Sequence, residues 1–183
     1  MPSLTLGEAF VPGSDEKHFC KPTDVAVSSS GIFFVSDGYC HKRIMKFDPN
    51  GRLLKVYTGS FNIVHSLTLQ EEKDALCVAD RENSRVVCIH AGLKEGPGQP
   101  SFGSPYGPAG YKGKNVGRVF AVSAKGTEIK PVNDTQDPPK NKTSRRCYLF
   151  PLPALLRDVD ETLLFFCRPT ALRRFRIHIP GHV

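Results

Sequence analysis

The feature of this chain that most constrains its fold is an internal repeat. Residues 21–47 and 64–89 carry the same succession of three short apolar runs, and in both the second run ends in an aspartate, Asp37 or Asp80. The two aspartates lie 43 positions apart, and a basic residue follows each of them. A repeat of roughly 40–50 residues made of short strands is typical of one blade of a β-propeller. We therefore interpret each segment as a blade, against the alternative of an ordinary antiparallel sandwich with chance similarity.

The local pattern of the first repeat agrees with this interpretation. Residues 25–27 and 32–35 are short β-prone runs, and residues 43–47 alternate charged and apolar side chains, as a half-buried strand does. The Asp-Pro-Asn-Gly sequence at residues 48–51 predicts a turn, because proline presets φ and Asn-Gly accepts positive φ. Residues 53–57 then complete a fourth strand. We expect two four-stranded antiparallel blades between about residues 18 and 90.

A third repeat begins and then stops. Residues 118–123 match the first strand of the earlier repeats, after a stretch rich in glycine and proline at residues 91–114 that predicts a long surface loop. The fold class is therefore all-β, an incomplete β-propeller of about two blades plus the start of a third. We assign residues 1–124 to this partial propeller. We assign residues 125–183 to an irregular, unplaced tail, a linker or disordered segment in which a short helix after Pro153 is one option.

The number of blades is too small for a ring. Closed propellers have typically four to eight blades of four strands. We therefore expect the chain to be a fragment, an alternative product or a degenerate copy. We also expect exposed apolar side chains on the blade flank that faces the missing neighbour, and association through exposed blade edges.

The charge of the chain favours no nucleic-acid partner. The formal net charge is +7, spread over the repeats and the tail, and the basic run at residues 173–176 is short and typical of a solvated end. No stretch reaches the roughly 18 apolar residues of a membrane span. Residues 1–10 lack the basic-then-apolar order of a signal peptide.

Four cysteines occupy structured positions of the two repeats. Cys20 precedes the first strand, Cys40 follows the aspartate corner of the same blade, and Cys77 and Cys88 fall on adjacent strands of the second. Two disulfides and an oxidising compartment are the favoured interpretation, and four buried thiols are the alternative. Metal binding by cysteine is disfavoured because the chain has no Cys-x-x-Cys pair.

Two acceptor patterns for N-glycosylation add weak support for the secretory route. They begin at Asn133 and Asn141, in a polar region that we expect to be exposed. The pattern is common by chance, so it carries weight only beside the cysteines.

Several motifs of the repeats resemble one enzyme family. Residues 18–27 (HFCKPTDVAV), 35–40 (VSDGYC), 64–67 (VHSL) and 77–83 (CVADREN) are similar to the peptidyl-α-hydroxyglycine α-amidating lyase domain of peptidylglycine α-amidating monooxygenase. The resemblance covers roughly residues 5 to 90, with a weaker echo near residue 120. The tail resembles no family that we can place.

The resemblance implies a six-bladed propeller of NHL-type repeats that cleaves a peptidyl-α-hydroxyglycine to a peptide amide and glyoxylate. Such enzymes use zinc held by three histidines, with calcium as a structural ion. The motif match puts His65 at one zinc-ligand position, Tyr39 at the catalytic tyrosine and Arg81 at the active-site arginine. It also implies the disulfide pairs Cys20–Cys40 and Cys77–Cys88, and a place in the secretory lumen or outside the cell.

These residue types suit the implied reaction, which removes a hydroxyl proton and breaks a carbon–nitrogen bond. Free tyrosine is a weak base near neutral pH, and a guanidinium beside Tyr39 would favour its ionised form. Arg81 could instead hold the substrate carboxylate in a bidentate contact, and both roles stay open. Each residue also has an ordinary alternative, since isolated tyrosines and histidines of these kinds are mostly structural.

The zinc site is incomplete on the sequence alone. Catalytic zinc takes about three protein ligands, and only His65 lies in a ligand motif. His18, His41, His90, His178 and His182 are the chain's other histidines. We therefore expect a lyase-family chain that is weakly active or inactive alone. The alternative function is a non-catalytic NHL-repeat module that binds a peptide or protein partner.

Overall fold

The computed structural model describes residues 4–94, 96–107, 118–125, 128–133, 147–150, 162–167 and 173–178. The regular elements of these residues are β-strands, apart from one 3-10 turn. In chain order they are β1 (Leu4–Leu6), β2 (Pro22–Val27), β3 (Phe33–Asp37), β4 (Arg43–Phe47), β5 (Leu53–Thr58), β6 (Val64–Gln70), β7 (Ala75–Asp80), β8 (Arg85–His90), β9 (Val119–Lys125), β10 (Glu128–Asn133), β11 (Cys147–Phe150), β12 (Thr162–Cys167) and β13 (Arg173–His178). Over these described ranges the one helical element is a 3-10 turn, Glu71–Lys73, which is too short to span a membrane. The all-β prediction is confirmed.

The first repeat forms the expected four-stranded antiparallel sheet, in the order β2-β3-β4-β5. The predicted turn joins β4 to β5. In it Gly51 has a φ of +85° and donates its N–H to the Asp48 carbonyl at 3.0 Å. The expectation of a half-buried β4 is wrong, because both faces of this strand are covered and all five of its side chains are buried. The buried Lys46 ammonium donates a hydrogen bond to the Gly92 carbonyl at 2.5 Å.

The second repeat forms three strands, in the order β6-β7-β8, in place of the four that we expected. A segment around Pro105 lies beside β8 where a fourth strand would run. His90 N–H donates to Ser104 O at 2.8 Å, and Gly103 N–H returns a bond to His90 O at 3.0 Å. Only an isolated bridge, Ile89↔Pro105, continues the pairing. Proline has no N–H to donate, so a regular ladder is interrupted at this position.

The two sheets pack face to face through a continuous apolar core. Phe34 and Ile44 of the first sheet and Leu76 and Val78 of the second are completely buried in one cluster. Burying such a side chain contributes about 1.5–3 kcal/mol relative to leaving it in water. Ala26, Phe61, Val64, Leu67, Ile89, Ala91 and Phe102 belong to the same cluster. The blades therefore form one packed unit.

The outer faces of this pair are also largely covered. Among the described residues, the expected exposure of apolar side chains is seen at Val56 of β5, which lies opposite Met45 and is 40% exposed. Leu4 and Leu6 of β1 pack on the outer face of the first sheet, where Val35 and Met45 are completely buried. On the far side, buried Val119 and Val122 of β9 pack with Cys77, Ala79 and Val86. The strand that starts the third repeat thus acts as a cover for the second. Association through blade edges stays a prediction.

The segment after residue 124 contains strands that we did not expect. β9 and β10 form an antiparallel pair, and β11, β12 and β13 form a sheet with β1, in which β1 runs parallel to β13. β12 occupies part of the stretch in which a helix was an option. The residues between Pro153 and β12 lie outside the described residues, as does Asn141. Asn133 is the last residue of β10.

Each repeat is anchored by the buried aspartate at the end of its second strand. Asp37 accepts the backbone N–H groups of Cys20 and Lys21 at 3.1 and 3.0 Å and the Arg43 Nε–H at 3.1 Å. Arg43 is 5% exposed and extends the network by donating to the backbone carbonyls of Ser14, Asp15 and His18. The Asp37 carboxylate therefore joins the segment that precedes β2 to the first residue of β4.

Asp80 repeats this arrangement in the second blade. It accepts the Asn62 N–H at 2.6 Å, the Asn83 side-chain amide at 2.8 Å and the Arg85 Nε–H at 2.6 Å. The Arg85 guanidinium also donates to the Ser60 carbonyl at 2.7 Å. The acidic corner followed by a basic residue, which marked the repeat in the sequence, is thus an ion pair between a buried aspartate and an arginine that also binds backbone carbonyls.

The two predicted disulfides are present. Cys20 is bonded to Cys40 and Cys77 to Cys88. The first bridge adds a covalent link across the Asp37 corner. The second joins residues that lie opposite each other in the β7–β8 ladder.

We predict that Asp37→Asn destabilises the chain by about 3–5 kcal/mol, because the variant leaves the Arg43 charge buried without its partner. Glu16→Gln is the matched control, since Glu16 is exposed, and its effect should stay within about 0.5 kcal/mol. The measurement is urea unfolding with both disulfides intact. Equal midpoints for the two variants would show that the Asp37 network does not hold the blade.

Candidate functional site

The candidate site lies where the corners of the two blades meet. Residues 38–42 join β3 to β4 directly after Asp37, and residues 81–84 join β7 to β8 directly after Asp80. In the second corner the Arg81 N–H donates to Ile63 O and the Ser84 N–H donates to Arg81 O. The backbone of both corners is therefore fixed from buried anchors, and Tyr39 and Arg81 project from them.

Gly38 allows the first corner to approach the second blade. A Cβ placed on Gly38 would lie 1.9 Å from the Val64 carbonyl oxygen, so only glycine fits here. Thr23 Oγ1 also donates to this carbonyl, at 2.5 Å. The close approach of Gly38 to Val64 puts Tyr39 beside His65. The two rings are edge-on, with 6.2 Å between their centroids.

Arg81 completes the group from the second blade. Its Nη1 lies 3.4 Å from the Tyr39 hydroxyl oxygen. The side chain of Arg81 is only 16% exposed, whereas Tyr39 is 44% exposed. A cation held beside an accessible phenol can stabilise negative charge on the phenol oxygen. The structure thus brings together the three residues that the sequence singled out, as we expected from their positions in successive blades.

Comparison with known proteins connects this geometry to one family. A family model of the NHL repeat matches residues 19–47. A probable peptidyl-alpha-hydroxyglycine alpha-amidating lyase of Caenorhabditis elegans is 47% identical over 127 residues, which are 65% of this chain and 35% of the relative. Peptidyl-alpha-hydroxyglycine alpha-amidating lyase 2 of Drosophila melanogaster is 45% identical over 139 residues, 72% of this chain and 32% of the relative. Over these matched segments the chain is similar to the two lyases.

A longer relative contains the same region. Peptidyl-glycine alpha-amidating monooxygenase B of Xenopus laevis is 47% identical over 143 residues, which are 68% of this chain and 16% of the relative. The chain spans about a third of the length of the two lyases and less of the monooxygenase. The resemblance drawn from the sequence motifs is therefore confirmed for a part of the lyase family's fold.

The zinc site implied by the resemblance to the lyases requires three histidines close together. Within the described residues, no group of three or more His, Cys, Asp or Glu side chains is arranged to hold a metal ion. His18, His41 and His90 are each next to a carboxylate of their own, on Asp15, Asp37 and Asp74 respectively. The side chains of His178 and His182 lie outside the description. His65 by itself is fewer than the three histidines of such a zinc site.

The sequence analysis missed two charged residues at the candidate site. Glu82 follows Arg81 directly, and its Oε1 lies 3.4 Å from the Arg81 Nε. Its Oε2 accepts from the Arg118 Nε at 3.0 Å. The signals for them were present, since Glu82 lies inside the family motif at residues 77–83 and Arg118 begins the third repeat.

We predict that Gly38→Ala destabilises the chain by about 3 kcal/mol, because the new methyl group meets backbone that cannot rotate away. It should also separate Tyr39 from His65. Gly96→Ala is the control, since nothing lies within 4 Å of that position even though its φ of +149° carries strain. Thermal unfolding and the nuclear Overhauser contact between the two rings are the measurements. A variant with an unchanged ring contact would show that Gly38 does not set the site.

Proposed function

We propose that this chain carries one part of the active site of a peptidyl-α-hydroxyglycine α-amidating lyase. The observation that carries the proposal is the contact of the Arg81 guanidinium with the Tyr39 hydroxyl beside His65, across the boundary between two blades. The names of the relatives supply the reaction class. The substrate would be a peptide ending in α-hydroxyglycine, and the products a peptide amide and glyoxylate.

Tyr39 would act as the general base. It would take the hydroxyl proton of the α-hydroxyglycine, whose oxygen then forms a carbonyl as the carbon–nitrogen bond breaks. The electron pair of that bond goes to the amide nitrogen, which takes up a proton. Arg81, 3.4 Å from the phenol, would stabilise the phenolate that the transfer requires.

Arg81 has a second role open to it, because the substrate ends in a carboxylate. A guanidinium can hold a carboxylate through two parallel hydrogen bonds. The two roles differ in kinetics, since loss of a contact made only in the transition state lowers kcat, whereas loss of uniform substrate binding raises KM.

The metals of the lyase are part of the proposal. His65 would be one zinc ligand, with the remaining ligands coming from residues beyond those described. Bound zinc would polarise the oxygen of the substrate as a Lewis acid. Calcium would be a structural ion, likewise held elsewhere.

The proposal includes an oxidising compartment, the secretory lumen or the exterior of the cell. Its support is the pair of disulfides, Cys20–Cys40 and Cys77–Cys88, together with the relation to a peptidyl-glycine monooxygenase. N-glycosylation at Asn133 and Asn141 belongs to the same proposal.

A segment exchange tests the function directly. Residues 5–124 of this chain replace the matching segment of an active relative, and glyoxylate release is measured from an α-hydroxyglycine peptide. We expect activity, and a loss of about 10²–10⁴-fold with Tyr39→Phe, because general-base catalysis contributes that much. Tyr106→Phe removes a hydroxyl outside the site and is the matched control. An inactive but folded chimera, or equal activity of the two variants, would refute the proposal.

We predict that the isolated 183-residue chain has negligible lyase activity. Its described residues offer one zinc ligand, and catalytic zinc needs about three. Tyr39 is also exposed to water, which weakens the electrostatic help from Arg81. The test adds zinc and peptide to the oxidised chain. Glyoxylate release that Tyr39→Phe and chelation both abolish would overturn this prediction.

The alternative function is a non-catalytic module that binds peptides or proteins. It is favoured by the fact that the described residues contain no cluster of metal ligands around His65. It predicts that the isolated chain binds the α-hydroxyglycine peptide without turnover. Titration calorimetry measures that binding, and Arg81→Gln should weaken it if the guanidinium holds the carboxylate.

A further inference from the structure

We propose that Glu82 is a positioning residue that holds the Arg81 guanidinium toward Tyr39 and, through Arg118, links the site to the third repeat. The inference deepens the proposed function and rests on it, because Glu82 matters for the reaction only if Arg81 and Tyr39 take part. Glu82 acts through Arg81, because Arg81 is the residue that contacts the Tyr39 hydroxyl.

The backbone places Glu82 next to Arg81 in a fixed orientation. The Arg81 N–H donates to Ile63 O at 3.0 Å, and the Glu82 N–H donates to Asn62 O at 3.0 Å. Asn62 is in turn held by Asp80 through a bond of 2.6 Å. The two side chains therefore start from the same buried anchor that positions the whole corner.

The Glu82 carboxylate is divided between two guanidinium groups. Its Oε1 lies 3.4 Å from the Arg81 Nε, and its Oε2 lies 3.0 Å from the Arg118 Nε. Both Arg81 and Glu82 are mostly buried, whereas the Arg118 side chain is 54% exposed. The Glu82 carboxylate therefore balances the charge of the mostly buried Arg81 and of the exposed Arg118. Both arginines restrict the rotation of the carboxylate.

This arrangement sets the direction of Arg81. The guanidinium approaches Glu82 at Nε as an ion pair of 3.4 Å without a hydrogen bond, and it approaches Tyr39 at Nη1, on a different edge of the same planar group. A carboxylate that attracts one edge of a planar guanidinium favours the orientation in which the other edge faces away from it. Without the carboxylate, two like charges would face each other, and Arg81 would turn toward solvent and away from the phenol.

Arg118 gives the third repeat a part in the site. It precedes β9, whose Val119 and Val122 pack on the second blade. Docking of β9 thus brings Arg118 to Glu82 and restrains the carboxylate that positions Arg81. The third repeat contributes to the site in this way without a residue that touches Tyr39.

The test uses the oxidised full chain labelled with 3-fluorotyrosine, in which the Tyr39 resonance is assigned with Tyr39→Phe. Phenylglyoxal labelling, resolved by peptide mass spectrometry, reports how often Arg81 is released. Glu82→Gln should shift the Tyr39 fluorine resonance and raise the Arg81 labelling rate about three- to fivefold, as expected for loss of a partly screened ion pair. Arg118→Gln should change both in the same direction by less.

Two controls separate positioning from a general loss of structure. Glu72→Gln makes the same chemical change at an exposed position in the 3-10 turn, and it should change neither signal. Arg52, with a side chain 78% exposed, serves as the internal reference for labelling in every variant. Glu82→Asp keeps the charge and should lie between the wild type and Glu82→Gln.

An unchanged Tyr39 resonance and Arg81 labelling rate in Glu82→Gln would overturn the inference. If Glu82→Gln fails to fold, Arg118→Gln decides, because this exposed residue is not needed for the core, and wild-type signals in it would overturn the inference as well. Neither readout requires turnover. A chimera without lyase activity therefore refutes the proposed function and leaves the outcome for Glu82 separate.

Discussion

The structure depends on the buried carboxylate at the end of the second strand of each repeat. Asp37 and Asp80 each bind the backbone of the segment that enters the blade and the arginine that starts the third strand. A buried charge is tolerated only when it is paired and fully hydrogen-bonded, and both aspartates meet that condition. The chain reverses at these points, so the same bonds that hold each blade together also define where its corner lies.

The site follows from this constraint. Tyr39 and Arg81 come one or two residues after the two aspartates, so each is carried by a corner whose backbone is held from beneath. Placing reactive side chains on loops that a rigid scaffold orients is the general arrangement of binding and catalytic sites. Here the scaffold is a pair of sheets whose corners meet, and the site exists only because the second blade lies against the first.

Two close contacts bring the blades into that relation. The Asp24 carboxylate in β2 accepts from Ser66 Oγ and from the Leu67 N–H of β6, at 2.9 and 2.8 Å. At the other contact the Gly38 corner rests on the Val64 carbonyl. Polar groups that are partly buried between apolar sheets need partners, so these bonds specify one alignment among the many that the apolar core alone would accept. His65 reaches Tyr39 in that alignment.

The sequence by itself determined strands β2 to β8, the turn at Gly51, the cysteine pairs and the three candidate residues, because these depend on short-range patterns or on family motifs. It did not determine the burial of β4, the absence of a regular fourth strand in the second blade or the covered outer faces. Those features were decided by contacts between segments distant along the chain, such as Leu4 and Leu6 on the first sheet, β9 on the second and Lys46 on the Gly92 carbonyl. The same reason explains why Glu82 and Arg118 were missed. A charged residue in a sequence does not show which opposite charge it will meet, and only the packing of the third repeat on the second put these two within hydrogen-bond distance.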